Sequence, residues 1–274
     1  VLGGFTVTNT EVGKGILVAN SRYCEVHDNV VCFTGDRGIV FFDGGNNKAC
    51  NNIVYNTSVF GGIEALESHN NTIRSNVAYF NKWGIATHNG SYNLIFNNAV
   101  FSNEDGIHID WPSTGNMVYN NTVSSNIING VAVLDKANET IISGNRISGN
   151  AYGVWLENSF CDTISENYIQ DNECGIYLHM SSNNTIQENE MVVNNDVNIL
   201  ISSSSNNIVA GNSIVNSTWG MALYYASDNR VYHNNFITNI LQVNIYVYGY
   251  TNFWDDGYPS GGNYWSDYNG TDLY

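Results

Sequence analysis

Apolar residues recur along this chain with two periods at once. Within short segments they alternate with polar or small residues, and the segments return every 22 to 24 residues. The copies are GILVA (15–19), GIVFF (38–42), GIEAL (62–66), GIATH (84–88), GIHID (106–110), GVAVL (130–134), GVWLE (153–157), GIYLH (175–179), NILIS (198–202), GMALY (220–224) and NIYVY (244–248). The second residue of every copy is Ile, Val or Met, and the fourth is apolar everywhere except at Thr87. Such alternation predicts a strand with one buried face. Each copy holds two further short strands, one typified by NTIRSN (71–76), DTISEN (162–167) and NTIQEN (184–189), the other by NRISGN (145–150) and NYIQDN (167–172).

An asparagine recurs where these strands meet, at Asn76, Asn98, Asn121, Asn145, Asn167, Asn189 and Asn212. Asn tolerates the left-handed conformation of a sharp corner, and stacked amides can hydrogen-bond from one coil to the next. Three short strands per repeat of about 23 residues exclude helical solenoids, whose repeats are longer and 3.6-periodic. The pattern predicts an all-β parallel β-helix of about eleven coils, roughly 50 Å long at the spacing of neighbouring strands. One continuous core implies no internal domain boundary. Residues 1–252 form the helix and 253–274, rich in aromatics and turns, form a cap over its end within the same domain.

With the second and fourth residues inside, the third and fifth point outward. Across the eleven copies His and charged residues take six outward places, Glu64, His88, His108, Asp110, Glu157 and His179, all in copies three to eight. Clustering of this kind predicts a polar groove. His88 and Asp110 lie one coil apart, about 4.8 Å, and Asp110 and Glu157 two coils apart, roughly 9.6 Å. The second spacing is at the upper edge of what an inverting glycosidase needs between its two carboxyl groups. Asp110 and Glu157 are therefore the candidate acid–base pair, with Glu64 in reserve and His88 and His108 tuning Asp110. Trp155, Tyr177 and His179 are candidate sugar contacts, and Trp111, Asp135 and Lys136 border the groove from the loops. A copper or zinc site would rest on His88, His108 and His179; His88 and His108 could meet, but His179 lies three coils from His108, so no metal or cofactor is assigned. Asp255, Asp256, Asp267 or Asp272 could hold Ca²⁺, though a capping role accounts for that segment more simply.

Nine Lys and Arg against 25 Asp and Glu give a net charge of -16, which excludes nucleic acid as a partner and disfavours an anionic membrane surface. No run of 18 apolar residues is present. None of the five cysteines sits in a C-x-x-C pair. Eight N-x-[ST] sequons, at Asn56, Asn70, Asn89, Asn120, Asn138, Asn183, Asn216 and Asn269, suggest an extracellular glycoprotein, although a repeat that keeps writing NNT produces sequons by itself. The abrupt, strand-like start and the end within an aromatic segment suggest a piece of a longer protein.

The cycle N-x-I-x-x-N, N-x-[IV]-x-x-N, x-G-[IV]-x-L resembles the NosD-type β-helix, within the broad class of carbohydrate-binding and sugar-hydrolase repeats. FWDDGYPSGGNYWSDYNGTD (253–272) resembles the segment that follows such repeats in archaeal surface proteins, notably those of methanogens. The resemblance implies a single-stranded right-handed parallel β-helix, a pectate-lyase-like solenoid, at the cell surface or outside the cell. It implies a polysaccharide partner and, by analogy with the disaggregatase of methanogen aggregates, glycan cleavage; the carboxylates of the patch, with Lys136 the one obvious base near it, fit hydrolysis better than elimination. Two other readings stand beside it. One is a non-catalytic surface-layer or filament protein, self-associating through Tyr224, Tyr225, Tyr246, Tyr248 and Tyr250. The other is a copper-handling protein of NosD kind.

Overall fold

In the computed structural model, which describes residues 1–10, 12–246 and 250–270, each coil gives one strand to each of three sheets. The sheets hold eleven, twelve and eleven strands, all in sequential parallel order along the rod. The described residues contain no α-helix and thus no helix long and apolar enough to cross a membrane. The third sheet carries the eleven copies. Ile63, Ile85, Ile107 and Val131 stand opposite one another in register and are fully buried, as are Ile73, Ile95 and Val118 of the first sheet and Ala78, Val100 and Val123 of the second. One apolar column from each of the first two sheets and two from the third, such as Ile107 and Ile109, build the core. Thr87 in the fourth-position column is buried too, its hydroxyl without a partner.

The glycine that opens most copies is set by packing. A Cβ on Gly84 would lie 2.4 Å from Val100 Cγ1 and 2.7 Å from the Gly106 carbonyl oxygen. The chain bends there, so the residue before the glycine turns to the outer face instead of continuing the alternation. Trp83, Asp105 and Tyr152 occupy that position and pack on outward third- and fifth-position side chains.

The corner asparagines form ladders. Asn52, Asn76, Asn98, Asn121, Asn145, Asn167, Asn189, Asn212, Asn234 and Asn263 each receive the side-chain amide of the Asn one coil back, at 2.8 to 3.0 Å. A second ladder runs through Asn81, Asn103, Asn126, Asn150, Asn172 and Asn194, and a third includes Asn71 and Asn93, then Asn207, Asn229 and Asn252. The left-handed conformation does not belong to the ladder residues. It falls on the residue before most of them, such as Ser75, Asn97, Asn120, Glu166 and Glu188, with φ of 54 to 56°. That division explains the sequons: Asn70, Asn120 and Asn183 take the left-handed corner and the next Asn enters the ladder. Asn56, Asn89 and Asn138 are half-buried, whereas Asn70, Asn120, Asn183, Asn216 and Asn269 are exposed.

Two expectations about the C-terminal end change. Val243, not Ile245, pairs with Met221, so the last copy is QVNIY (242–246) and Tyr246 belongs to the fifth-position column, stacked 3.9 Å from Tyr224. Tyr248 lies outside the described residues, as does Asp272. The segment from 253 is less a lid than a short twelfth coil. Phe253 bridges to Arg230, Tyr264–Trp265 pairs with the strand Asn235–Ile237, and Asn252 and Asn263 extend two ladders. Trp254 and Trp265 pack on the core, Trp265 stacking on Phe236 at 4.6 Å, but Tyr264 is exposed. Asp256 pairs with Arg230 and Asp255 accepts the Gly257 N–H, so both carboxylates already have partners. The five cysteines are free.

One ladder contains an acid. Asp162 is buried where the repeat writes Asn, accepting the Thr140 N–H at 2.8 Å. The Ser159 hydroxyl touches both Asp162 Oδ2 and the Ala137 carbonyl oxygen. It has one proton for two acceptors, so both contacts close as hydrogen bonds only when Asp162 is the acid and donates. Burial pushes its carboxyl up to about 7, against the Ser159 and Thr140 hydrogen bonds that favour the anion. The folded value lies above the unfolded 3.8, so this group favours folding most below pH about 4 and loses that contribution as pH rises through 7. Asp162→Asn should therefore stabilise the protein above pH 7 and do little at pH 4, as read from melting temperature across pH; equal shifts at both pH values would refute the buried acid.

Candidate functional site

The third sheet's outer face carries a hydrogen-bonded and ion-paired run of charged groups. Arg37, from the turn before coil two, donates Nε to Glu64 Oε2 at 2.5 Å and a terminal nitrogen to Asp36 at 2.9 Å. Glu64 Oε1 faces His88 Nε2 at 3.3 Å, neither atom having a true hydrogen-bond partner. His88 Nδ1 pairs with Asp110 Oδ1. Asp110 Oδ2 lies 3.2 Å from His108 Nε2, and His108 Nδ1 lies 2.9 Å from Asp105 Oδ2. Asp105 Oδ1 ends the run by accepting both the backbone N–H and the side-chain amide of Asn129. Trp83 lies over the run, 4.6 Å from the His88 ring and 4.7 Å from His108.

The outward column is thus not an exposed one. Glu64 is fully buried and His108 is 6% exposed, because Trp83, Arg37 and Asp105 cover the third-position residues. Glu64 faces outward from the sheet, as its place in the strand requires, yet no solvent reaches it, and it acts on the site only through Arg37 and His88. Burial alone would deprotonate His108, but the hydrogen bonds to Asp105 and Asp110 and their charges outweigh it and raise the imidazole to about 9. Burial likewise opposes the charge on Asp110, and its two histidine partners overcome that and lower it to about 2. Around neutral pH the pair is an imidazolium next to a carboxylate.

The run opens to solvent beside Asp110. A cleft of about 250 Å³ there is lined by Arg37, Phe60, Trp83, His88, Asp110 and Trp111, with Leu66, Glu67 and Asn89 at its sides. Trp111 is 60% exposed and holds a left-handed backbone with φ 52° directly after Asp110.

Glu157 belongs to a second cluster. It pairs in register with His179, and both are half-buried. Tyr152, Trp155 and Tyr177 pack beside them, Trp155 and Tyr177 stacked at 5.9 Å and Tyr152 and Tyr177 at 5.6 Å. Trp155 Nε1 and His179 Nδ1 are buried without partners. Coil six separates the two clusters: Ala132 lies between His108 and Trp155, and Leu134 follows Val133 in the place between Asp110 and Glu157. Asp135 and Lys136 are exposed in the loop after it, both with positive φ. The single patch read from sequence is two clusters on one face.

Asp105, Trp83, Arg37 and Phe60 escaped that reading. Alternation places the residue before the glycine inside, and the glycine bend reverses it. The signal available was the column itself, Trp83, Asp105, Asn129 and Tyr152, which is polar or aromatic where core residues belong.

His88, His108 and Asp110 could each offer one ligand atom to a metal, all within 4.8 Å of one another. The donor set fits poorly. Both nitrogens of His108 already face carboxylates that hold it as a cation, whereas a metal needs neutral imidazole.

Residues 122–270 match the family described as periplasmic copper-binding protein (NosD), and residues 14–162 match that of the right-handed β-helix region. Among solved structures, the A-module of a mannuronan C-5 epimerase from Azotobacter vinelandii is similar at a TM-score of 0.70 and 16% identity, over 92% of this chain and 89% of that one. The Dettilon tailspike protein is similar at 0.71 and 13%, over 89% and 61%. DFA-IIIase from Arthrobacter chlorophenolicus A6, without its lid, is similar at 0.63 and 13%, over 85% and 70%. At these identities the likeness is one of fold. No curated protein matches the chain.

The pH dependence of stability checks the run. The raised His108 contributes fully below pH 6.5 and loses its contribution as pH rises through 9, while the lowered Asp110 contributes above 3.8 and loses its share as pH falls through 2. Asp105→Asn should lower stability at pH 6 by roughly 2–3 kcal/mol and flatten the decline between pH 6.5 and 9, read by denaturant midpoints. An unchanged alkaline limb would contradict the pairing.

Proposed function

We propose that this chain, which belongs to the NosD family and to the right-handed β-helix region family, is a polysaccharide-binding protein that works outside the cytoplasm through the outer face of its third sheet. The observation that carries this is the charged run, which meets solvent at the aromatic-lined cleft beside Asp110. Burying ionised groups costs several kcal/mol each unless they are paired. A rod that only spaced two ends apart has no use for six acid and base side chains packed in one place. Aromatic rings with a fixed acceptor between them suit a sugar, whose ring faces are apolar and whose edges are hydroxyls. The sugar chain would leave the cleft along the groove toward Trp155 and Tyr177.

Cleavage is the finer part of the proposal. Asp110 is too acidic to donate a proton near neutrality, so it would serve as the base that activates water. Glu157, two strands away at roughly 9.6 Å, would protonate the leaving oxygen, giving inversion. His88 and His108 hold Asp110 in place and ionised; they do not reach the reacting atoms themselves.

Copper handling has less support. The cluster with three ligand atoms in reach lies at residues 88–110, ahead of the segment 122–270 that matches the copper-binding family. A purely structural role is favoured only by the exposed tyrosines Tyr225, Tyr246 and Tyr250 near the C-terminal end.

The test uses glycan arrays followed by assays for both reducing ends and unsaturated uronate. Trp111→Ala should weaken binding by about tenfold, the loss of one stacking wall. Glu157→Gln should leave binding intact and abolish release of reducing ends. Cleavage at the wild-type rate by the Glu157 variant would remove hydrolysis by this pair, and binding unaffected by Trp111→Ala would move the site elsewhere.

A further inference from the structure

The charges around the cleft bear on which glycan it takes, given the glycan reading above. The two bases that line it are committed: His88 stands between Glu64 and Asp110. Arg37 is held by Glu64 and Asp36, and its guanidinium lies 3.9 Å from the Phe60 ring centroid. Lys14 pairs with the same Asp36 at 2.9 Å, and Lys82 sits over Trp83 at 4.8 Å. His108 is locked between two carboxylates. The acids are freer. Asp110 keeps an edge toward the cleft, with 13% of its side chain exposed, and Glu67 stands exposed at the rim with no salt bridge among the described residues. Farther along the groove, exposed Lys136 has Asp135 beside it, and Glu157 faces the same side. The whole chain carries -16.

A uronate entering this cleft would bring its carboxylate beside Asp110 and Glu67, where the lining bases Arg37 and His88 already face carboxylates. An ammonium would find the exposed Glu67 carboxylate and the open edge of Asp110 in a cleft also lined by Trp83 and Trp111, where ion pairing and cation–π attraction act together. We propose that the glycan bound here carries free amino groups and that polyuronates are rejected. The similar fold of a mannuronan epimerase then serves a polymer of the opposite charge. The backbone solenoid is shared; the charge of the outer face is set by side chains that the repeat leaves free.

Calorimetric titration of the intact chain with length-matched β-1,4 oligomers of glucosamine, glucose and mannuronate decides it. Below pH 6.5, where glucosamine is protonated and Asp110 remains ionised, the amino-sugar oligomer should bind tightest and the uronate weakest. The gap between them should be on the order of tenfold or more at low salt and narrow as salt is added. Glu67→Gln, on the rim and outside the acid–base machinery, should reduce the advantage of the amino-sugar oligomer over the neutral one. Mannuronate binding as tightly as glucosamine would overturn the selectivity and leave the glycan site standing. Binding of none of the three would overturn both.

Discussion

In-register parallel stacking puts the same position of successive coils one strand spacing apart, about 4.8 Å. That constraint governs every polar group in this rod. A buried polar side chain has its own kind above and below it, so it must hydrogen-bond to its copies or meet a complementary residue there. Asn solves the first case, since one amide both donates and accepts, and its ladders run through nearly every coil. Where an acid replaces it, at Asp162, only a proton restores the donor, and burial supplies the reason for the proton to stay.

The outer face of the third sheet is the second case. Carboxylates stacked on carboxylates would repel, so acids here meet histidines: His88 stacks on Asp110 in the fifth-position column, Glu64 approaches His88 diagonally from the third-position column, and His108 and Asp105 close the row on one strand. His108 and Asp110 hold each other charged. The functional consequence is a carboxylate that stays ionised over the whole physiological range, presented at a cleft walled by rings. The same argument separates Glu157 from this unit. Coil six puts Ala132 and Leu134 in the relevant places, which carry no charge along the column, so the Glu157–His179 pair is electrically its own site.

Much of this was legible in the sequence. The repeat length, the inward columns, the parallel solenoid and one Asn ladder follow from a period of about 23 and the alternation of GIHID-like segments. That His88, His108 and Asp110 come together follows from in-register stacking, which converts sequence spacing into distance. What could not be read was the local bend at the glycine of each copy, which brings Trp83 and Asp105 to the outer face, and the cover that Arg37 and Phe60 reach over Glu64 from a neighbouring turn. The last copy slipped by two residues because NIYVY imitates the pattern better than the true QVNIY does, where Gln242 replaces the glycine. The left-handed corners were assigned one residue late, since both members of an Asn–Asn pair suit the role and only the hydrogen bonds decide between them.

The central claim is that the charged run exists to serve the cleft at Asp110, not the ends of the rod. Indole N–H signals of the six tryptophans, followed by NMR as glycan is added, test it most directly. Trp83 and Trp111 should shift first and furthest, with Trp155 following for longer chains, and Trp254 and Trp265 should stay still. Shifts confined to Trp254 and Trp265 would place binding on the terminal coil and contradict the account.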